Sequence, residues 1–354
     1  MTFINRGTET PGTIGYLYRQ KIEALVEALT DPQRHCVFFL GAGASIDENA
    51  PVDLPTGVEL SKKMAQEIGL DWHKAVPLST IAFYYEFLRD RQQLVRMLER
   101  EIGNRQIAPS RTIQLLVEII GILEQRSVHS AALLGEQRMV VITTNYDRQF
   151  ETAYREILQR EPGVLIYQGA KDPNRIGVPL NRDLRGELKS VPALWLPSKP
   201  TTLFKMHGCI SQPDDQGLVI TEEDYINFLT NALGPIDEYK KLPPAIMSRV
   251  AAGTIIFVGY SMEDWNFRTI FKATVEAHTA PGKSYAVQFW NLAGEDDAQS
   301  TRREALTQFW GRKGVDILNV KADQFMQDLL KSIRVRVQSE SEVKNERSYG
   351  AGAG

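Results

Sequence analysis

Cysteine is scarce in this chain, since only Cys36 and Cys209 occur among its 354 residues. Both adjoin apolar runs that read as strands, so we expect two buried thiols that behave as small hydrophobic side chains. Two isolated cysteines cannot supply a zinc site of four thiolates, and nothing in their spacing indicates a disulfide framework. The sequence therefore predicts a protein without zinc that fits a reducing cytoplasm.

Long apolar runs and a strong charge of one sign are also missing. No uninterrupted apolar stretch approaches the roughly 20 residues that a membrane helix needs, and the first residues lack the pattern of a signal peptide. The formal net charge of −3 gives no electrostatic reason to expect direct nucleic-acid binding. Because 43% of the residues are hydrophobic and 24% charged, the composition is typical of a globular protein. We expect a cytoplasmic protein that contacts neither membrane nor nucleic acid.

Strand-like apolar runs alternate with helical periodicity along most of the chain. This alternation predicts an α/β fold, with a Rossmann-like parallel sheet of six or seven strands and helices on both faces. One stretch is helical with little strand character and is interpreted as an all-helical insertion, and a stretch rich in Pro and Gly at 162–200 is interpreted as an irregular excursion. The predicted parts are an N-terminal arm and helix at 1–34, a discontinuous Rossmann-like domain at 35–70 and 135–336, the helical insertion at 71–134 and a flexible tail at 337–354.

Four short polar clusters follow four of the predicted strands. They are Gly41–Ser45, Thr144–Asp147, His207-Gly208 and Gly259–Met262. In an open parallel sheet, the residues beyond the carboxyl ends of the strands line the ligand crevice. A glycine loop, an Asn/Asp pair and a histidine in these places predict a single site that cleaves a nucleotide.

Each cluster also has a purely structural interpretation. Gly41–Ser45 either exposes amides to a phosphate or forms a ligand-free turn. Asn145 and Asp147 either orient a ligand or cap the helix that follows. His207 is either a general base with a pKa near neutrality or a structural histidine. Ser261-x-x-Asp264 predicts a helix capping box, which is compatible with a phosphate or ribose site at the same place.

The set and order of these motifs resemble the sirtuin superfamily. GAGAS, then TTNYD in place of the family's T-Q-N-I-D, then H-G and G-x-S follow one another as in sirtuins. The closer resemblance is to the bacterial, defence-associated sirtuin-like NADase branch, through Leu54-Pro55-Thr56, the T-x-x-D-Y stretch at Thr221–Tyr225, and VGYSMEDWN. It covers residues of about 35–330 without the helical insertion.

The resemblance implies a division of roles among the site residues. Asn145 and His207 would orient or activate water or a ribose hydroxyl, with His207 as catalytic base, and Asp147 would hold the nicotinamide carboxamide. The cofactor-binding residues implied in the same way are Gly41, Ala42, Gly43, Ser45, Asp47, Thr144, Gly259, Ser261 and Asn291.

Two departures from protein-deacylating sirtuins decide the expected activity. The four-cysteine zinc module that helps form the acyl-peptide cleft is absent, and so is the G-I-P-D-F-R segment, replaced by Ala50–Pro55. The resemblance therefore implies an NAD+ hydrolase that consumes NAD+ as a substrate and releases nicotinamide and ADP-ribose. A protein deacylase or ADP-ribosyltransferase and a non-catalytic sensor of NAD+ or ADP-ribose stay open as alternatives.

The branch also implies a way of working and partners. Its members act in antiviral defence by draining NAD+, so such an enzyme must be held inactive until it is triggered. The resemblance implies activation by homo-oligomer assembly or by a partner protein, of which a HerA-type ring ATPase is one known arrangement. The helical insertion and the 162–200 excursion are the expected surfaces for either.

Overall fold

A computed structural model describes most of the chain. The described residues are 14–31, 34–47, 50, 54–73, 76–103, 107–129, 139–167, 176–179, 188–190, 197–211, 217–233, 242–276 and 284–350. Most of the 162–200 excursion, and the first 13 and last four residues, lie outside these ranges.

A single sheet organises the described part of the chain, with the strand order β5-β4-β3-β6-β2-β1-β7-β8-β9. The strands are β1 (His35–Leu40), β2 (Met139–Thr143), β3 (Gly163–Tyr167), β4 (Ile176–Pro179), β5 (Leu188–Ser190), β6 (Thr201–Lys205), β7 (Gly253–Val258), β8 (Ser284–Val287) and β9 (Val315–Leu318). The seven neighbouring strands β3-β6-β2-β1-β7-β8-β9 pair in parallel. At one edge of the sheet, β4 pairs antiparallel with both β3 and β5. The predicted Rossmann-like parallel sheet is confirmed.

Helices cover both faces of this sheet. They are α1 (Ile14–Thr30), α2 (Gly57–Glu67), α3 (Leu78–Leu88), α4 (Arg91–Leu98), α5 (Arg111–His129), α6 (Gln149–Leu158), α7 (Glu222–Leu233), α8 (Pro244–Ala252), α9 (Trp265–Phe271), α10 (Asp297–Arg312) and α11 (Ala322–Gly350). Along β1, Phe38 and Leu40 pack under α1, α5, α6 and α11, while Val37 and Phe39 pack under α7 to α10. Because both faces are covered, the strands read as continuous apolar runs.

The predicted helical insertion contains two kinds of helix. Together with α2, helices α3 and α4 form a small module with its own apolar core, which includes Leu60, Met64, Ile81 and Leu94. Helix α5 packs instead against α6 and α11 on the sheet, as the crossover helix between the parallel strands β1 and β2 does in such folds. The division of the chain into the four predicted parts stays a prediction.

Several local expectations differ from the structure. Residues 163–167, inside the predicted irregular excursion, form the buried strand β3. The apolar residues 218–220, whose sequence predicts a strand, are buried but form none, and the Val219 amide donates to the carbonyl oxygen of His207 at 3.2 Å. Helix α11 continues to Gly350 and so covers residues that the sequence assigns to a flexible tail. An ion pair of Arg126 with Glu340, 2.8 Å long, ties this part of α11 to α5.

Candidate active site

The four polar clusters come together at one edge of the sheet. Strands β6, β2, β1 and β7 are parallel neighbours, so their carboxyl ends lie side by side. The clusters that follow them surround a cavity of about 580 Å³. The predicted site residues in its lining are Ala42, Ser45, Thr144, Asn145, Asp147, His207, Gly259 and Ser261.

Contacts between backbones explain the glycines of the first and last clusters. The Gly41 amide donates to Val258 O and the Gly43 amide to Gly259 O, both at 2.9 Å. A Cβ at Gly41 would lie 2.7 Å from Gly259 O, and Gly259 has a φ of +79°, which favours glycine. The Gly41 and Gly43 amides are therefore used in hydrogen bonds within the protein. Ala42 and Ser45 are the residues of the Gly41–Ser45 loop that line the cavity.

Asn145 fixes the glycine loop to the end of β2. Its side chain is 9% exposed, and its Nδ2 donates to Gly41 O at 3.0 Å and to Ser45 Oγ at 2.8 Å. Both Nδ2 hydrogens are thereby used, so Oδ1 is the polar atom that the side chain has left for a ligand. The asparagine has a structural and a potential chemical role at the same time.

Asp147 also serves the helix that follows it. Its Oδ1 accepts a hydrogen bond from the Gln149 amide at 2.9 Å, at the start of α6, which matches the capping interpretation. Its backbone carbonyl accepts a hydrogen bond from Lys205 Nζ. Asp147 is part of the cavity lining, and its Oδ2 is not the oxygen that caps the helix.

His207 is held between aromatic rings rather than in a polar network. The side chain is 1% exposed, and the rings of Tyr225 and Phe228 stand nearly perpendicular to it, with centroids 5.2 and 5.3 Å away. Burial lowers the pKa of His207 to about 3. This differs from the expectation of a pKa near neutrality, because burial among apolar rings disfavours the charged imidazolium.

Three buried polar atoms in the cavity lining lack a hydrogen-bond partner within the described ranges. They are His207 Nε2, Ser79 Oγ and Asn266 Oδ1. Buried polar atoms in folded proteins are normally paired, so unpaired ones that line a cavity indicate the place of a ligand or water. Ser79, on α3, was not predicted, and no sequence signal marks it.

Aromatic residues form another part of the wall that sequence reasoning overlooked. Tyr260 donates from its hydroxyl to Leu40 O at 3.1 Å and lies 3.2 Å from Thr144 Oγ1. Tyr225 and Trp265 line the cavity with ring centroids 6.2 Å apart. All three belong to motifs quoted for the sirtuin resemblance, so a signal for them was present in the sequence.

The remaining predicted residues occupy other positions. Asp47 accepts a hydrogen bond from the Arg111 amide at 3.2 Å, at the start of α5. Asn291 lies exposed in the loop after β8, where its Oδ1 accepts from the Ala293 amide at 3.1 Å. Neither residue belongs to the cavity lining.

The predicted capping boxes have different outcomes. The sequence patterns Thr56-x-x-Glu59 and Thr221-x-x-Asp224 also predict capping boxes, and both are confirmed. The one predicted at Ser261 is wrong, because α9 begins only at Trp265 and Asp264 is its N-cap.

Two searches of the described residues concern metals and membranes. Within those ranges, no group of three or more His, Cys, Asp or Glu side chains is placed to hold a metal ion. Of the helices in the same ranges, none combines the length and apolar character needed to cross a bilayer.

Comparison with known proteins adds a family to this geometry. The chain is 26% identical over 248 residues to the protein named NAD(+) hydrolase ThsA of Bacillus cereus (strain MSX-D12), and 26% identical over 236 residues to the one of Enterococcus faecium. These alignments cover 70% and 67% of the chain but only 41% and 39% of the relatives, so the chain spans about two fifths of their length. The SIR2-like domain matches residues 139–318, which is half of the chain, and the protein belongs to this family.

Proposed function

We propose that the protein is an NAD+ glycohydrolase, which cleaves the bond between nicotinamide and ribose. The observation that carries the proposal is the cavity at the strand ends, which Asn145, Asp147 and His207 line. Three buried polar atoms of its lining residues, one of them His207 Nε2, lack a hydrogen-bond partner among the described residues. Its volume of about 580 Å³ lies within the range of about 300–1,000 Å³ that small-molecule sites usually have. The names of the two relatives support NAD+ as the substrate.

The reaction requires little acid catalysis at the leaving group. The pyridinium of NAD+ is cationic, so nicotinamide departs as a neutral molecule while the ribose develops oxocarbenium character. Water adds to the same ribose carbon and loses a proton, which gives ADP-ribose, nicotinamide and one H⁺. The protein accelerates this step to the extent that it stabilises the transition state more than the bound substrate.

The site residues take roles that fit their geometry. Asp147 offers its second carboxylate oxygen to the carboxamide of nicotinamide, which holds the leaving group in place. Asn145 Oδ1 accepts a hydrogen bond from a ribose hydroxyl or from the attacking water. His207 is neutral at physiological pH, so Nε2 can accept a hydrogen bond and orient the same groups without first losing a proton. Positioning of this kind contributes much of the rate in enzymes that join two reactants.

A defence role with activation by assembly or by a partner is part of the same proposal. An exposed surface on α3, formed by Phe83, Tyr84, Phe87 and Leu88, supports it. The ring of Phe87 is 78% exposed and stacks on Phe83 with centroids 6.4 Å apart. Clustered exposed aromatic residues often mark interaction sites. Because the same helix contributes Ser79 to the cavity, a contact on α3 could change the site directly.

The test is incubation of the purified chain with NAD+, alone and with candidate partners, followed by chromatography of the products. We expect nicotinamide and ADP-ribose in equal amounts without any peptide, lost in His207→Ala and kept in His73→Ala, which alters an exposed histidine. Turnover only with an acylated peptide would favour a deacylase, and labelled protein would favour an ADP-ribosyltransferase. NAD+ binding without turnover under every condition, unchanged by His207→Ala, would favour a sensor.

A further inference from the structure

A buried ion pair lies directly behind the candidate active site. Lys205, the last residue of β6, and Glu151, in the first turn of α6, have side chains that are 1% and 4% exposed. Lys205 Nζ lies 3.3 Å from Glu151 Oε1. Removing two charges from water costs several kcal/mol for each ion, and an apolar pair of the same volume is often equally stable or more stable. Stability alone therefore does not explain why these two charges are buried together.

The ammonium group joins two of the site's clusters. Lys205 Nζ donates a hydrogen bond to the backbone carbonyl of Asp147, in the loop after β2. Lys205 ends β6, two residues before His207 in the chain. Burial alone would lower the pKa of Lys205, but the negative charge of the neighbouring Glu151 and Asp147 carboxylates outweighs it, and the pKa is raised. The side chain thus stays a cationic donor at neutral pH.

The role of Glu151 is more limited than that of Lys205. Neither carboxylate oxygen accepts a hydrogen bond of good geometry in the described part of the chain, although one lies close enough to Lys205 to offset its charge. The glutamate acts as a counterion, whereas the lysine alone contacts the site loop. Changes at the two positions should therefore have different consequences.

We propose that Lys205 is a positioning residue of the candidate active site, which holds the Asp147 backbone so that its carboxylate faces the substrate beside His207. This inference rests on the proposed function. A displacement of a reacting or binding group by about 1 Å can lower a rate by about 100-fold. We therefore expect the loss of this anchor to lower kcat/KM for NAD+ by about 10- to 100-fold, and to weaken inhibition by the product nicotinamide by a similar factor.

The decisive variant is the double change Lys205→Met with Glu151→Leu. It removes both charges without leaving either one buried alone, so the melting temperature should stay close to that of the wild type. We expect kcat/KM and nicotinamide inhibition to fall although the fold is intact. Glu151→Gln keeps the lysine donor, so it should lower the melting temperature while kcat/KM stays near the wild-type value.

A matched control is available at the other end of β6. Glu124 is buried and accepts a hydrogen bond of 2.5 Å from Thr201, the first residue of that strand, about 13 Å from Lys205 along the strand. Glu124→Gln should lower the melting temperature without changing kcat/KM below the melting range. It measures what the loss of a buried carboxylate does by itself.

The outcomes separate the inference from the proposed function. A wild-type chain that cleaves NAD+ in no condition overturns both. An active wild type together with a folded double variant that keeps wild-type kcat/KM and nicotinamide inhibition overturns the positioning role alone. If the double variant does not fold, the result for Glu151→Gln decides between the two roles. A decrease in kcat/KM that accompanies the decrease in melting temperature would show that the ion pair only stabilises the fold.

Discussion

The burial of His207 predicts a specific loss of stability in mild acid. The unfolded chain protonates this histidine near its ordinary pKa of 6.5, whereas the folded protein does so only near pH 3. As the pH falls through this window, protons bind the unfolded state preferentially and the free energy of unfolding decreases. Well above pH 6.5, where the unfolded histidine is also neutral, the contribution of the neutral buried ring is fully present.

The size of the effect follows from the two pKa values. Each pH unit well inside the window costs about 1.4 kcal/mol, and because the unfolded group is half protonated at pH 6.5, the loss from pH 6.5 to 5.0 is roughly 1–2 kcal/mol. The side chain is 1% exposed, so solvent screening reduces this figure little. Other carboxylates and histidines also titrate, and a comparison of variants removes their contribution.

The assay is urea unfolding, followed by circular dichroism at pH 6.5 and 5.0. The wild type should lose roughly 1–2 kcal/mol more than His207→Gln between these values, since glutamine does not titrate. His73→Gln, which replaces a histidine at an exposed position, is measured beside it as the matched control. Equal losses in the wild type and in His207→Gln would refute a neutral, buried His207.

Three further predictions concern the loops, the wall and the surface of the site. Gly259→Ala should lower the free energy of unfolding in urea by at least about 1 kcal/mol more than Gly294→Ala. Both glycines have a φ of +79°, but at Gly259 a Cβ would also overlap Ala44 N. Equal decreases in the two variants would contradict the loop packing. Ser79→Ala should raise KM for NAD+ about 3- to 10-fold at unchanged melting temperature, since the hydroxyl is unpaired without ligand; an unchanged KM would exclude contact with the substrate. Phe87→Glu should reduce assembly in light scattering or partner capture, and the wild-type result from both assays would exclude this surface.

The strand ends could be predicted because they depend on local signals. Apolar runs such as VFFL and MVVIT mark buried parallel strands, and the polar residues after them must meet at one edge of the sheet. That argument places Asn145 and His207 together without knowledge of any contact. It cannot give the hydrogen bonds, because the ties of Asn145 to Gly41 and Ser45 join residues about 100 positions apart.

Features that depend on tertiary contacts could not be predicted from the sequence. The pKa of His207 depends on the rings of Tyr225 and Phe228, which come from α7 rather than from its own strand. Helix α5 shares the apolar periodicity of α3 and α4, and its packing on the sheet distinguishes it. Strand β3 lies among Pro and Gly residues, and it is identified by pairing with β6. Capping at Ser261 failed because Asp264 satisfies the same helix end.

The amount of nicotinamide released per NAD+ consumed tests the proposed hydrolysis directly. It is measured for the wild type and for Asn145→Ala, under the condition that activates the wild type. We expect one nicotinamide for each NAD+ in the wild type, and a rate at least about 100-fold lower in a folded Asn145→Ala. NAD+ that stays intact with the wild type in every condition, or an Asn145→Ala variant that hydrolyses it at the wild-type rate, would rule out hydrolysis at this site.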